Sequence, residues 1–106
     1  MAYAEVFTAL ADPTRRHILE ALRQRPKTVG ELAEGQPVSR SAVSQHLKVL
    51  QAARLVTVQP RGNRRLYSIK RDGLDDLRKY LESFWSDVLS SYGAEIARRM
   101  TPKRRV

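Results

Sequence analysis

The chain has no cysteine. That excludes disulfides, thiol redox chemistry and every thiolate metal site. Its two histidines, His17 and His46, are expected on packed helices as hydrogen-bonding residues rather than as ligands. No apolar run approaches the roughly 20 residues of a membrane-spanning helix, so no membrane partner is expected. The opening Met1-Ala2-Tyr3-Ala4-Glu5 has neither the basic region nor the apolar core of a signal peptide, which predicts a cytoplasmic protein. There is no glycine-rich phosphate loop, no serine paired with a base and no metal-ligand cluster, so an enzyme is not expected and no cofactor is implied. The shortage with the most consequence is of acid. All eleven carboxylates lie outside the stretch from Gly35 to Arg71. That stretch holds Arg40, Lys48, Arg54, Arg61, Arg64, Arg65, Lys70 and Arg71.

What remains is a small, strongly basic chain. Its 106 residues carry a net charge of +9 and a pI near 10.7. The length fits one domain, taken as residues 1–100, followed by a basic tail, 101–106, expected to be disordered. A one-signed stretch inside a folded domain repels itself unless a polyanion meets it. Nucleic acid answers that need, because cations that neutralise phosphates release condensed counterions.

Periodicity predicts a mainly α fold with a small β-hairpin. A short first helix over Tyr3 to Ala11 carries Val6, Phe7 and Leu10 on one stripe. Asp12-Pro13 caps and starts a second helix, expected to run to about Arg25, before Pro26. Thr28 and Glu31 form a capping box for a short third helix, which Gly35-Gln36-Pro37 breaks. Ser39 then caps a helix that runs to about Ala52, with Val43, Leu47 and Leu50 inward. Two short helices joined by a tight turn make a helix-turn-helix. Leu55 to Gln59 and Leu66 to Ile69 are strands flanking a turn at Pro60 to Arg64, and Lys27-Thr28 can add a short third strand. After Asp72-Gly73 a last helix of roughly 20 residues is expected, weakened at Gly93, with Leu74, Leu77, Leu81, Phe84, Trp85, Val88 and Tyr92 at three- and four-residue steps.

With the stripe of the fourth helix inward, its outer face carries Ser39, Arg40, Ser41, Ser44, Gln45 and Lys48. Such a face fits a major groove about 12 Å wide. Gln45 can pair with adenine through two hydrogen bonds. Arg40 and Lys48 can reach guanine edges or phosphates, and the two small serines let the backbone approach. The hairpin tip, Arg61 with Asn63, Arg64 and Arg65, stands where a wing would flank that groove. Gly62 and Asn63 both tolerate the positive φ that a tight tip needs. Tyr67 is expected to pack rather than to stack on a base.

The run from Phe7 to Leu19, with Ala11-Asp12-Pro13-Thr14-Arg15-Arg16-His17 at its centre, resembles the opening of the ArsR/SmtB-type winged helix-turn-helix repressors. Ser39 to Leu50 resembles that family's recognition helix, and Ala53-Arg54-Leu55-Val56 with Tyr67-Ser68 completes a likeness over residues 5 to about 90. The resemblance implies a homodimeric repressor on a pseudo-palindromic double-stranded DNA operator. It also implies a dimer through the N- and C-terminal helices, with Val6, Phe7, Leu10, Leu77, Leu81, Phe84, Trp85, Val88 and Tyr92 as the interface. The third helix lacks the cysteine pair of the family's metal sensors, and Asp75, Asp76, Glu82 and Asp87 lie on a helix without histidine. The likeness is therefore to the branch without a metal site, which acts on its own or a neighbouring operon. Other readings weighed are a non-specific architectural DNA-binding protein, an interaction module that uses the fold without DNA, and an aromatic-ligand pocket beside Trp85.

Overall fold

A computed structural model describes residues 2–100; the expected tail, 101–106, lies outside the described residues. Five helices and one hairpin follow in the order α1 (Ala2–Leu10), α2 (Pro13–Ala21), α3 (Val29–Glu34), α4 (Arg40–Ala52), β1 (Val56–Arg61), β2 (Arg64–Ile69) and α5 (Arg71–Met100).

The caps expected from sequence are the ones used. Asp12 accepts from the backbone N–H groups of Thr14 and Arg15, with Pro13 at the first helical position. Thr28 and Glu31 bond reciprocally at the start of α3. Ser39 accepts from Ala42 N at 3.1 Å. The end of α2 differs from expectation. It closes at Ala21, with Leu22 as C-cap, rather than near Arg25. Leu22 is buried, and the chain must turn there to bring Lys27 to the hairpin.

α1 ends without a basic residue in its last turn. Its free carbonyls are taken by arginines of α2: Arg15 Nε donates to Ala9 O at 2.7 Å, Arg15 Nη2 to Thr8 O at 3.0 Å and Arg16 Nη1 to Leu10 O at 2.7 Å. Arg15 also lies 3.4 Å from His46 Nδ1 on α4, so one guanidinium ties three helices. His46 is a half-buried packing residue, as expected, whereas His17 is exposed on α2 rather than packed.

The core is wholly apolar among the described residues. Ile18, Leu32, Val43, Leu47, Leu50 and Leu55 are fully or almost fully buried, joined by Val6, Ala9, Leu22, Ala53, Val56 and Tyr67. Each such aliphatic side chain contributes about 1.5–3 kcal/mol by leaving water. Val6 corrects an expectation. It has no exposed surface and belongs to this core, so it has none to offer a partner subunit. Leu10 and Leu77 are also packed against the core in part.

β1 and β2 pair antiparallel from Val56 opposite Ile69 to Arg61 opposite Arg64. The turn is therefore only Gly62-Asn63, tighter than the expected Pro60 to Arg64. Gly62 takes φ +65° and Asn63 does not take a positive φ, the arrangement of a type II′ rather than a type I′ hairpin. The third strand reduces to one bridge, Lys27 to Tyr67, with backbone bonds of 3.0 and 2.8 Å; Thr28 is occupied as the cap of α3. This bridge fastens the hairpin base to the helix-turn-helix.

α4 closes in a Schellman motif: Leu55 N donates to Leu50 O and Arg54 N to Gln51 O, both at 2.9 Å. The left-handed position is held by Arg54, at φ +61°, instead of the usual glycine. Its guanidinium reaches Asp76 at 2.8 Å and Asp72 at 3.4 Å, across to α5. Gly73 sits against this corner. Its N–H donates to Arg54 O at 2.7 Å, and a Cβ there would fall 2.4 Å from Ala53 O. The first turn of α5 is thus locked to the last turn of α4. α5 then runs for 30 residues, passing through Gly93 without a break, where roughly 20 were expected. At 1.5 Å per residue it is about 45 Å long, and the molecule measures 73 × 24 × 22 Å.

Candidate nucleic-acid interface

The outer face of α4 follows from its buried one. Burial of Val43, Leu47 and Leu50 turns Arg40, Ser41, Gln45 and Lys48 to solvent, with Ser44 half-buried beside them. Ser39 is exposed, but its hydroxyl oxygen is engaged as the cap of α4. At the wing, Arg61, Asn63, Arg64 and Arg65 are all exposed. The structure brings Arg40 together with Asn63, Arg64 and Arg65 around one groove. Arg61 stands outside that groove, at the end of β1 opposite Arg64.

Charge sorts the basic stretch into two groups. Arg54 is bound to Asp72 and Asp76, and Arg71 lies 3.8 Å from Asp75. Arg54 thus serves the α4–α5 corner and Arg71 the first turns of α5. Among the described residues, no ion pair engages Arg40, Lys48, Arg61, Arg64, Arg65 or Lys70. A cation left without a carboxylate keeps its full attraction for phosphate. Sequence could not make this division, because the partners of Arg54 lie 18 and 22 residues away.

α5 carries the opposite pattern. Its charges pair with near neighbours: Arg78 with Glu82, and both Arg98 and Arg99 with Glu95. Its apolar residues are exposed. Leu74, Leu81, Phe84, Trp85, Leu89, Tyr92 and Ile96 are each between 40 and 66% accessible. Val88 is half-buried. Along one edge α5 meets α1 within the protomer. Tyr3 stacks on Tyr80 with centroids 4.4 Å apart, and Phe7 meets the same ring edge-on at 5.6 Å. Tyr80 was not among the residues singled out in the sequence, because it falls off the leucine stripe. Phe7 remains 45% exposed beside this cluster. Leu74, Leu77, Leu81 and Trp85, with Arg78 and Glu82, line a shallow, largely apolar groove.

Asp75, Asp76 and Glu82 are held by arginines, and no group of three or more potential metal ligands occurs among the described residues. Among the described residues, no helix is long and apolar enough to cross a membrane.

Comparison with known proteins places these features. The model of a family described as bacterial regulatory protein, arsR family, matches residues 12–58, from the cap of α2 into β1. The chain is 56% identical over 84 residues to the HTH-type transcriptional regulator Rv2034 of Mycobacterium tuberculosis, covering 79% of this chain and 78% of that protein. It is 34% identical over 79 residues to the transcriptional repressor SdpR of Bacillus subtilis, covering 74% and 88%. Among solved structures, the homodimeric winged helix-turn-helix DNA-binding domain Mb0332 of Mycobacterium bovis superposes with a TM-score of 0.66 at 26% identity, covering 85% of this chain and 83% of that one.

Proposed function

Because the chain belongs to the arsR family of bacterial regulatory proteins, it is a DNA-binding transcriptional regulator with a winged helix-turn-helix, and we propose that it acts as a homodimeric, sequence-specific repressor of its own or a neighbouring operon, without metal sensing. The observation that carries this reading is the unpaired polar and cationic surface of α4 and the wing. Gln45, Ser41 and Ser44 read base edges in the major groove, with Lys48 at the rim. Arg61, Asn63, Arg64 and Arg65 hold the flanking backbone.

Dimerisation follows from the exposed face of α5. Leu74, Leu81, Trp85, Tyr92 and Ile96 recur at steps of seven and four, so they form one continuous stripe. A patch of this length is rare on a monomer. An isologous pair through α5, with Phe7, Phe84 and Val88 at its flanks and Leu10 and Leu77 at its inner margin, presents two α4 helices to grooves about 34 Å apart. The homodimeric state of Mb0332 and the repressor role of SdpR support the same assignment. The lack of cysteine, with no alternative ligand cluster among the described residues, supports a regulator that does not sense metal.

Footprinting on the DNA upstream of the gene's own operon tests the proposal. Protection of two half-sites one helical turn apart is expected, and Gln45→Ala should relax preference at one base position per half-site, by about 1–3 kcal/mol. Equal protection of scrambled DNA would leave a non-specific architectural protein instead.

A further inference from the structure

The start of α3, the start of α4 and the wing tip enclose a groove of about 510 Å³, with Gly30, Glu34, Arg40, Asn63, Arg64 and Arg65 in its wall. Arg40 opens α4, and its side chain lies against the start of α3. A Cβ built on Gly30 would lie 3.1 Å from Arg40 Nη2 and 3.3 Å from its Cζ. The guanidinium therefore rests on the bare backbone of α3, turned toward the wing.

Three arginines share this groove, and none has an ion-pair partner among the described residues. Of the two carboxylates in the wall, Glu31 is already held by Arg25 at 3.1 Å and by Thr28 N–H at 2.9 Å. Glu34 leaves the balance positive. The reciprocal Thr28–Glu31 cap occupies those two backbone donors, so the pull on an anion comes from the guanidinium groups.

Resting on the DNA-binding reading above, we propose that this groove seats one backbone phosphate of the operator, held jointly by Arg40, Arg64 and Arg65. Gly30, having no side chain, leaves room for the Arg40 guanidinium in this seat. Arg40 then adds affinity on every sequence, base selection falls to Gln45 and its serine neighbours, and a single phosphate couples the wing to the recognition helix.

Fluorescence anisotropy between about 50 and 300 mM salt tests this, on a duplex of the chain's own upstream promoter and on a scrambled duplex of equal composition. Wild type, Arg40→Ala, Arg64→Ala, their double variant and Gly30→Ala are compared. Arg40→Ala should lower the slope of log K against log salt by about 1, equally on both duplexes. The double variant should bind only marginally worse than either single one, because both singles lose the same phosphate. Gly30→Ala should cost at most a small part of the Arg40→Ala loss, because the flexible end of Arg40 need move only a few tenths of an ångström, and should add nothing on the Arg40→Ala background. Losses that simply add, or an Arg40→Ala protein that changes preference at one base pair with an unchanged slope, would each overturn the seat. A wild type that binds both duplexes equally would sink sequence-specific repression while the slopes and coupling still decide the seat. A wild type that binds neither overturns both.

Discussion

α4 and α5 are both amphipathic helices in one small chain, and they distribute their residues in opposite ways. α4 buries Val43, Leu47 and Leu50 completely and, among the described residues, leaves Arg40 and Lys48 without ion pairs. α5 pairs many of its charges, within itself or with Arg54, and leaves Leu81, Phe84, Trp85, Leu89 and Tyr92 about half exposed or more. A helix whose apolar side is consumed at home has only charge to offer outward. One whose charge is largely paired has mainly apolar surface to offer. The first suits a polyanion and the second suits a like subunit, so under the function proposed above one fold would separate DNA contact from self-association.

The sharpest way to break this contrast is to place charge on α5. Leu81→Glu with Trp85→Glu should convert the protein to a monomer in sedimentation equilibrium at micromolar concentration. Affinity for a two-half-site duplex should fall by more than about 100-fold, because two coupled contacts become one, while the circular dichroism stays helical. A dimer that survives both charges would show that the stripe is not the seam.

A smaller effect is expected where the two helices are joined. Gly73→Ala drives a methyl group to 2.4 Å from Ala53 O, and backbone on both sides must shift. The cost should be about 1–3 kcal/mol in urea unfolding. Arg54→Gly should separate the two parts of that corner. It relieves the left-handed backbone of Arg54 but removes the links to Asp72 and Asp76. A near-neutral stability change with weaker operator binding would show that the ion pairs orient α5 more than they stabilise it.

The smallest effect is on pH. Burial pushes the Asp12 carboxyl up, but the N–H groups of Arg15 and Thr14, with the charges of Arg15 and His46, outweigh it and hold the group below its ordinary range. Glu31 is held low by Thr28 N–H first, then by Arg25. A carboxyl whose folded pKa is lowered stabilises above its unfolded pKa and loses that contribution as pH falls through the folded value. Stability should therefore decline below about pH 4. Asp12→Asn, which keeps a capping oxygen, should make the thermal midpoint less steep in that window than in wild type. An unchanged acid limb would show that these caps do not carry the acid sensitivity.

Local signals were legible wherever the chemistry is local. Asp12-Pro13, the Thr28–Glu31 box and Ser39 each act within three residues, so they fixed three helix starts. Gly62-Asn63 marked the hairpin for the same reason. The end of α2 was misplaced because nothing local stops it before Pro26; the bridge from Lys27 to Tyr67 does. Val6 and Phe7 look alike in the pattern, yet one is sealed in the core and the other exposed. Arg54 stood only as one more cation of the acid-free stretch, because the carboxylates that claim it belong to another helix. The candidate DNA face was readable in its residue types, whereas the fold of Arg40 over Gly30 was not.

By itself, then, the order of residues determined the element types, the caps, the buried stripe of α4 and a basic middle devoid of acid, since each depends on spacing along one chain. Tertiary structure alone decided which arginines stay free, which apolar residues stay exposed and where Arg40 points. Those outcomes depend on atoms that meet only after distant segments pack, and burial and ion pairing respond to what is near in space.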